Sequence, residues 1–198
     1  VRRGLISVAI FVAFVAIFTL SRHAIHSSTT TTTTTTKIST TTSSTTTTIA
    51  AGANCVASDF SGAYNEGEGA AGTIYASITL TKTSGGTCTL NGWPILTLSD
   101  RLGAVLKSTG VDVPSSSSGF QFLTPTQANA APKTLTLSMN GTATFSLAYS
   151  DVQSGTTACE SAVTVSVQFV AGGASIPVTP QYAVQPCDAG QIWLSPFY

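Results

Sequence analysis

The residues of this chain with the most definite chemistry are its four cysteines, Cys55, Cys88, Cys159 and Cys187. They show neither a C-x-x-C nor any other metal-type spacing, and an even count outside the cytoplasm reads as two disulfides. Three connectivities satisfy that count. The expectation is the sequence-local pairing, Cys55 with Cys88 and Cys159 with Cys187, each bridge closing a loop of about thirty residues and contributing roughly 3 to 4 kcal/mol through loop-closure entropy. Nucleophile chemistry is poorly supplied. The two histidines, His23 and His26, precede the first cysteine, so residues 55–198 hold no imidazole for a Ser-His-Asp or Cys-His arrangement or a His-ligated metal. G-x-S-x-G, S-x-x-K and G-x-x-x-x-G-K are absent too. Hydrolysis by paired carboxylates is the enzymatic route left open, with eight acidic residues but nothing to mark a pair. The expectation is a non-catalytic domain with no cofactor.

Binding chemistry offers three candidates, each with a plainer reading beside it. Asp59, Asn65, Glu66 and Glu68 gather oxygen donors in the stretch DFSGAYNEGE, which could hold Ca²⁺, but their spacing fits no calcium loop and the segment reads as a solvated acidic turn. Tyr64, Trp93 and Trp193, with Phe197 and Tyr198, could stack on sugar rings; large aromatics in a small β-domain otherwise fill the core. Asn140-Gly141-Thr142 is an N-glycosylation sequon in a turn, and simply a turn in a host without that modification.

Three segments carry these residues. Arg2 and Arg3 precede the apolar run Leu5–Leu20, which marks residues 1–21 as a membrane anchor or signal segment, contacting the bilayer through residues 4–21. The run is followed by FTLSRHAIHSS, without an A-x-A-like cleavage site, which favours an uncleaved anchor; cleavage would give a secreted protein. The basic start places the N-terminus in the cytoplasm and the rest outside. Residues 22–54 form a linker in which Ser27–Thr48 is almost wholly Ser and Thr, a tract with no apolar face to offset the entropy of folding and therefore a disordered stalk. Residues 55–198 form the one domain. Charged residues make up 8% of the chain, against roughly a quarter in an ordinary soluble domain. With a net charge of zero and no basic cluster, nucleic acid is excluded as a partner. Within the domain four basic residues, Lys82, Arg101, Lys107 and Lys133, face all eight acids, leaving about −4.

Period-two alternation dictates the fold class. Ile74, Ala76, Ile78 and Leu80 alternate with Tyr75, Ser77, Thr79 and Thr81, as do Ala143, Phe145, Leu147 and Tyr149 with Thr144, Ser146 and Ala148, and Val163, Val165, Val167 and Phe169 with Thr164, Ser166 and Gln168. Shorter strands are expected near 95–98, 104–107, 120–123, 135–139, 176–179 and 192–195, and 110–132 as a long loop around the 120–123 strand. Turn signals every eight to twelve residues or so point to an all-β sandwich or barrel of antiparallel strands, and the expectation is an immunoglobulin-like sandwich. A two-residue hairpin at Asn140-Gly141 would set Leu137 opposite Thr144 and pair a core face with a solvent face. Three alternatives avoid this: a three-residue loop, a bulge, or a turn that crosses between sheets.

The chain resembles the actinobacterial exported family known as domain of unknown function 4232. The likeness rests on Gly69–Gly72 entering a strand; on Cys88, Leu90, Gly92, Pro94, Asp100 and Gly103 as C-x-L-x-G-x-P and D-x-x-G; on Gly141 leading into Ala143, Phe145 and Leu147; and on Cys159, Cys187, Gly190, Ile192, Ser195 and Pro196. The chain departs from it in having Asn140 where a proline is common, and an apolar anchor with a Thr-rich stalk in place of a lipid-anchor cysteine. The resemblance implies one exported β-rich domain and carries no activity. The functional expectation is therefore an extracytoplasmic binding or adhesion module whose partner is wall polymer or another envelope protein. The alternatives are a structural or accessory domain of an envelope complex and a carboxylate-dependent hydrolase.

Overall fold

A computed structural model describes residues 53–198 apart from Ser116 and Thr157. The expected anchor, 1–21, and nearly all of the expected linker, 22–54, lie outside the described residues. The last two linker residues, Ala53–Asn54, already form strand β1, so the ordered domain starts before Cys55. Eleven further strands follow: β2 Phe60–Asn65, β3 Gly69–Ala70, β4 Thr73–Lys82, β5 Cys88–Leu90, β6 Ile95–Ser99, β7 Thr109–Asp112, β8 Leu135–Leu137, β9 Thr142–Ser150, β10 Thr164–Gln168, β11 Ser175–Val178 and β12 Gln191–Leu194. Three short 3₁₀ turns are the only helical backbone among the described residues.

The strands form a large sheet in the order β2-β4-β9-β12-β7, with β3 added to β4, and two three-stranded sheets, β11-β10-β6 and β1-β5-β8. The pairs are antiparallel, as expected, except two, β1 with β5 and β7 with β12, which run parallel. Alternation decides which way each strand faces. Ile78 and Leu80 of β4, Phe145 and Leu147 of β9, and Ile192 and Leu194 of β12 share one buried cluster with Val165 and Val167 of β10, Ile176 and Val178 of β11, and Leu98 of β6. A chain of edge-to-face rings threads this core, Phe60 to Phe169 to Phe197 to Phe145, with centroids 5.3, 5.8 and 5.7 Å apart. Gly62 lets β11 close on β2, since a Cβ there would lie 2.5 Å from Val178 Cγ2.

The stretch read as an acidic turn contains β2, paired along its whole length with β4. Residues 104–107 make only an isolated bridge, Ser99 with Val105. No strand forms at 120–123, while the start of the expected long loop is β7. The parity conflict at Asn140 resolves by the crossing turn: β8 pairs with β5 and β9 with β4, so the chain changes sheets there. Asn140 takes a left-handed φ of 62°, which asparagine tolerates, and the turn is tied to the end of β4 by Asn140 N–H to Lys82 O and Lys82 N–H to Gly141 O, both 2.9 Å.

The cysteines pair as expected, Cys55 with Cys88 and Cys159 with Cys187. The first bridge ties β1 to β5 inside the core; the second fastens the 151–163 loop to the turn before β12. After β12 the chain continues along β9 with one extra residue, because Leu194 pairs with Leu147 while Tyr198 exchanges both backbone bonds with Thr144. Ser195 and Pro196 form this bulge. Pro196 has no N–H to give, and the buried Ser195 Oγ accepts the Ser146 N–H that the bulge would strand. Phe197 N–H then donates to Gly92 O at 3.0 Å, so the Ser-Pro end of the chain docks on the C-x-L-x-G-x-P stretch.

Lys82 occupies the core-facing parity of β4 and is fully buried. Its ammonium donates to Asp59 Oδ2 at 3.1 Å and lies 5.2 Å from the centroid of the Phe60 ring, while Ser84 Oγ donates to Asp59 Oδ1. Hydrogen bonds from Lys82 and Ser84 hold the Asp59 carboxyl below the usual carboxylate value, so its contribution to stability is present above about pH 4 and lost as the pH falls through the folded-state value. Burial pushes the phenols of Tyr64, Tyr149 and Tyr198 up, so their contribution is full below about pH 10 and lost as the pH climbs beyond it. Denaturant midpoints should therefore be flat near neutrality and fall on both flanks, with a shallower acid flank in Asp59→Asn. An unchanged acid flank in that variant would contradict the account.

Candidate ligand-binding cleft

The outer face of the large sheet is built from the alternate residues that the core does not use. Register places Tyr75 beside Ala148, Ser77 beside Ser146, Thr79 beside Thr144 and Thr81 beside Thr142, with Trp193 beyond Ala148. The result is an aromatic half and a hydroxyl half. The segment after β7 folds over the aromatic half: Phe120 stacks on Trp193 with centroids 4.4 Å apart and on Tyr75 at 6.2 Å, and Phe122 meets Phe120 edge-on. Asn129 clamps this segment, its Oδ1 accepting from Phe122 N–H and its Nδ2 donating to Phe122 O, both at 2.7 Å. Val113, Phe122, Ala128 and Ala148 are buried in this second cluster.

Beside that cover the sheet stays open, leaving a cleft of about 460 Å³. Its floor is Tyr75, Ser77 and Ser146 with Tyr198; one wall is Glu66–Ala70, the other Leu123–Pro125. Ser146 Oγ and Tyr198 Oη share a hydrogen bond of 2.8 Å, and Asn65 Nδ2 donates to Ser77 Oγ at 3.2 Å and Thr79 Oγ1 at 3.0 Å. Glu66 is held in place because its Oε1 accepts the backbone N–H groups of Gln181 and Tyr182, at 2.8 and 3.2 Å. Glu68 projects from the same wall, exposed. Hydroxyl groups, a tyrosine ring edge and the Glu68 carboxylate in one concavity suit a polar, ring-shaped ligand, and the volume falls within the roughly 300 to 1,000 Å³ of small-molecule sites.

The residues singled out from sequence are brought together only in part: Asn65, Glu66, Glu68 and Tyr198 line the cleft, and the rest lie elsewhere. Of the four possible calcium donors, Asp59 is engaged by Lys82 and Ser84, Asn65 by Ser77 and Thr79, and Glu66 by the 181–182 backbone. Tyr64 packs against the main core, Phe197 lies inside it, and Trp193 sits half-buried under Phe120. Trp93 donates its indole N–H to Val113 O at 3.0 Å. Only Tyr198 of that group reaches the cleft. Asn140 is exposed on its turn. Tyr75, Ser77 and Ser146 were missed, although each stands at a solvent parity position of a strand the sequence had already revealed.

Fold and site together define a disulfide-stapled, all-β domain with a hydroxyl-lined cleft on the outer face of its largest sheet. Residues 55–198 match the family model described as Domain of unknown function (DUF4232), and the chain belongs to that family. No curated protein and no solved structure matches the chain.

Proposed function

We propose that this chain is a membrane-anchored, extracytoplasmic module of immunoglobulin-like sandwich form, which binds wall polymer or another envelope protein without transforming it. The observation that carries this reading is the cleft, where the sheet leaves its polar outer face uncovered beside a loop that roofs the aromatic half. The core and both disulfides lie within the compact unit Thr47–Tyr198, so that unit can be tested alone. It should be retained on a cell-wall preparation or by an envelope protein in pull-downs, and Ser77→Trp, at a half-buried position of the cleft floor, should lose that retention while keeping the fold. Retention by neither would remove the reading.

Glu66 and Glu68 lining one cleft favour the hydrolase as a second reading. Against it, both rise from a single wall, whereas a hydrolytic pair flanks the bond it breaks. Release of reducing ends from wall polymer by the purified domain would decide for hydrolysis.

A further inference from the structure

We infer that the cleft selects a saccharide bearing free, protonated amino groups; this rests on the binding reading above and specifies its ligand. The argument begins from charge. Glu68 lines the cleft wall, and none of the four basic residues of the domain does: Lys82 is buried in its pair with Asp59, and Arg101, Lys107 and Lys133 lie elsewhere. An anionic polymer entering here would meet like charge with no compensating cation. A cation would meet Glu68, whose carboxylate has no hydrogen-bond or ionic partner among the described residues, whereas the Glu66 carboxylate is committed to the 181–182 backbone.

The remaining surface says what carries the amine. Ser77, Thr124, the Ser146–Tyr198 hydroxyl pair and Asn65 supply donors and acceptors at several points along the floor and walls. Tyr75, steadied by Phe120, offers ring carbon beside them. Polyhydroxylated rings with one polar rim and one apolar C–H face match that mixture. An extended lysine-rich peptide would use the Glu68 carboxylate and leave the hydroxyl floor unused.

The test titrates residues 47–198 with a β-1,4-linked glucosamine tetramer, its N-acetylated form, tetralysine and an oligogalacturonate, followed by calorimetry at low and high salt. The glucosamine tetramer should bind, about tenfold or more tighter than its N-acetylated form, and weaken as salt screens the Glu68 carboxylate. Oligogalacturonate should not bind. Glu68→Gln should lose about tenfold for the glucosamine tetramer with an unchanged melting temperature, while Glu160→Gln, outside the cleft, changes nothing. Equal binding of free and acetylated tetramers, binding of tetralysine as tight as that of glucosamine, or indifference to Glu68→Gln would overturn the assignment. Retention on wall material with no binding of the glucosamine tetramer would overturn it too, while leaving the binding module standing; retention on nothing would remove both.

Discussion

Alanine at Cys55 and Cys88 together is expected to lower the unfolding free energy by about 4 kcal/mol or more, and alanine at all four cysteines to leave the domain unfolded. The bridges close loops with separations of 33 and 28 residues, which do not overlap. Each therefore restricts the unfolded chain independently, by roughly 3.5 to 4 kcal/mol. Their sum, near 7 kcal/mol, reaches into the roughly 5 to 15 kcal/mol available to a domain of this size. The two are not equal. Cys55 and Cys88 are buried in the main core, so their removal also costs packing, whereas Cys159 is half-exposed. Denaturant unfolding of the two double-alanine variants should rank Cys55/Cys88 as the more damaging. A fully reduced domain as stable as the oxidised one would contradict this account of what holds the fold.

Phe197→Ala should be the most damaging single side-chain truncation near the chain's end, at about 3 to 5 kcal/mol for a buried phenylalanine, with a further contribution from its ring contacts. Phe197 is 1% exposed and is the middle link between Phe145 and Phe169. Its loss opens a cavity that neither ring can fill, because both are held by strands of opposed sheets or their immediate continuations. By comparison Trp193→Phe, within the second cluster under Phe120, should cost less, since an aromatic ring is retained there. Equal midpoints for wild type and Phe197→Ala would show that the ring chain contributes little.

The contrast between these two aromatics shows what could be read from the residues and what could not. Strands with an unbroken alternation, β4, β9 and β10, were legible, as was the pairing of nearby cysteines. β2 was not, because the core position that would have announced it is Gly62, kept small by the approach of Val178. β7 hid behind Gly110 and lies in a parallel pair with a strand eighty residues away, which no local pattern signals. The parity that made Ile74 to Leu80 a core face also put Lys82 there, although a lysine reads by type as a surface charge; its partner Asp59 was invisible without the register of β2 against β4. Phe120 and Trp193 meet only through a long loop folding back, so their stacking could not be anticipated.

The hydroxyl-rich outer face was foreshadowed by composition: Thr and Ser stand at the solvent positions where charged residues usually sit, and the cleft is the part of that face the loop leaves open. What no sequence pattern supplied was the boundary between covered and uncovered halves, set by the Asn129 clamp and the end of the chain returning along β9.

The most direct test of the account is where a wall-derived ligand lands. Backbone amide shifts of isotope-labelled residues 47–198, titrated with soluble wall fragments, should move at Glu66–Ala70, Tyr75–Ser77, Leu123–Thr124, Ser146 and Tyr198, and stay still elsewhere. Shifts confined to other surfaces, such as the depression lined by Lys107, Glu160 and Asp188, would contradict the assignment of the cleft as the binding site.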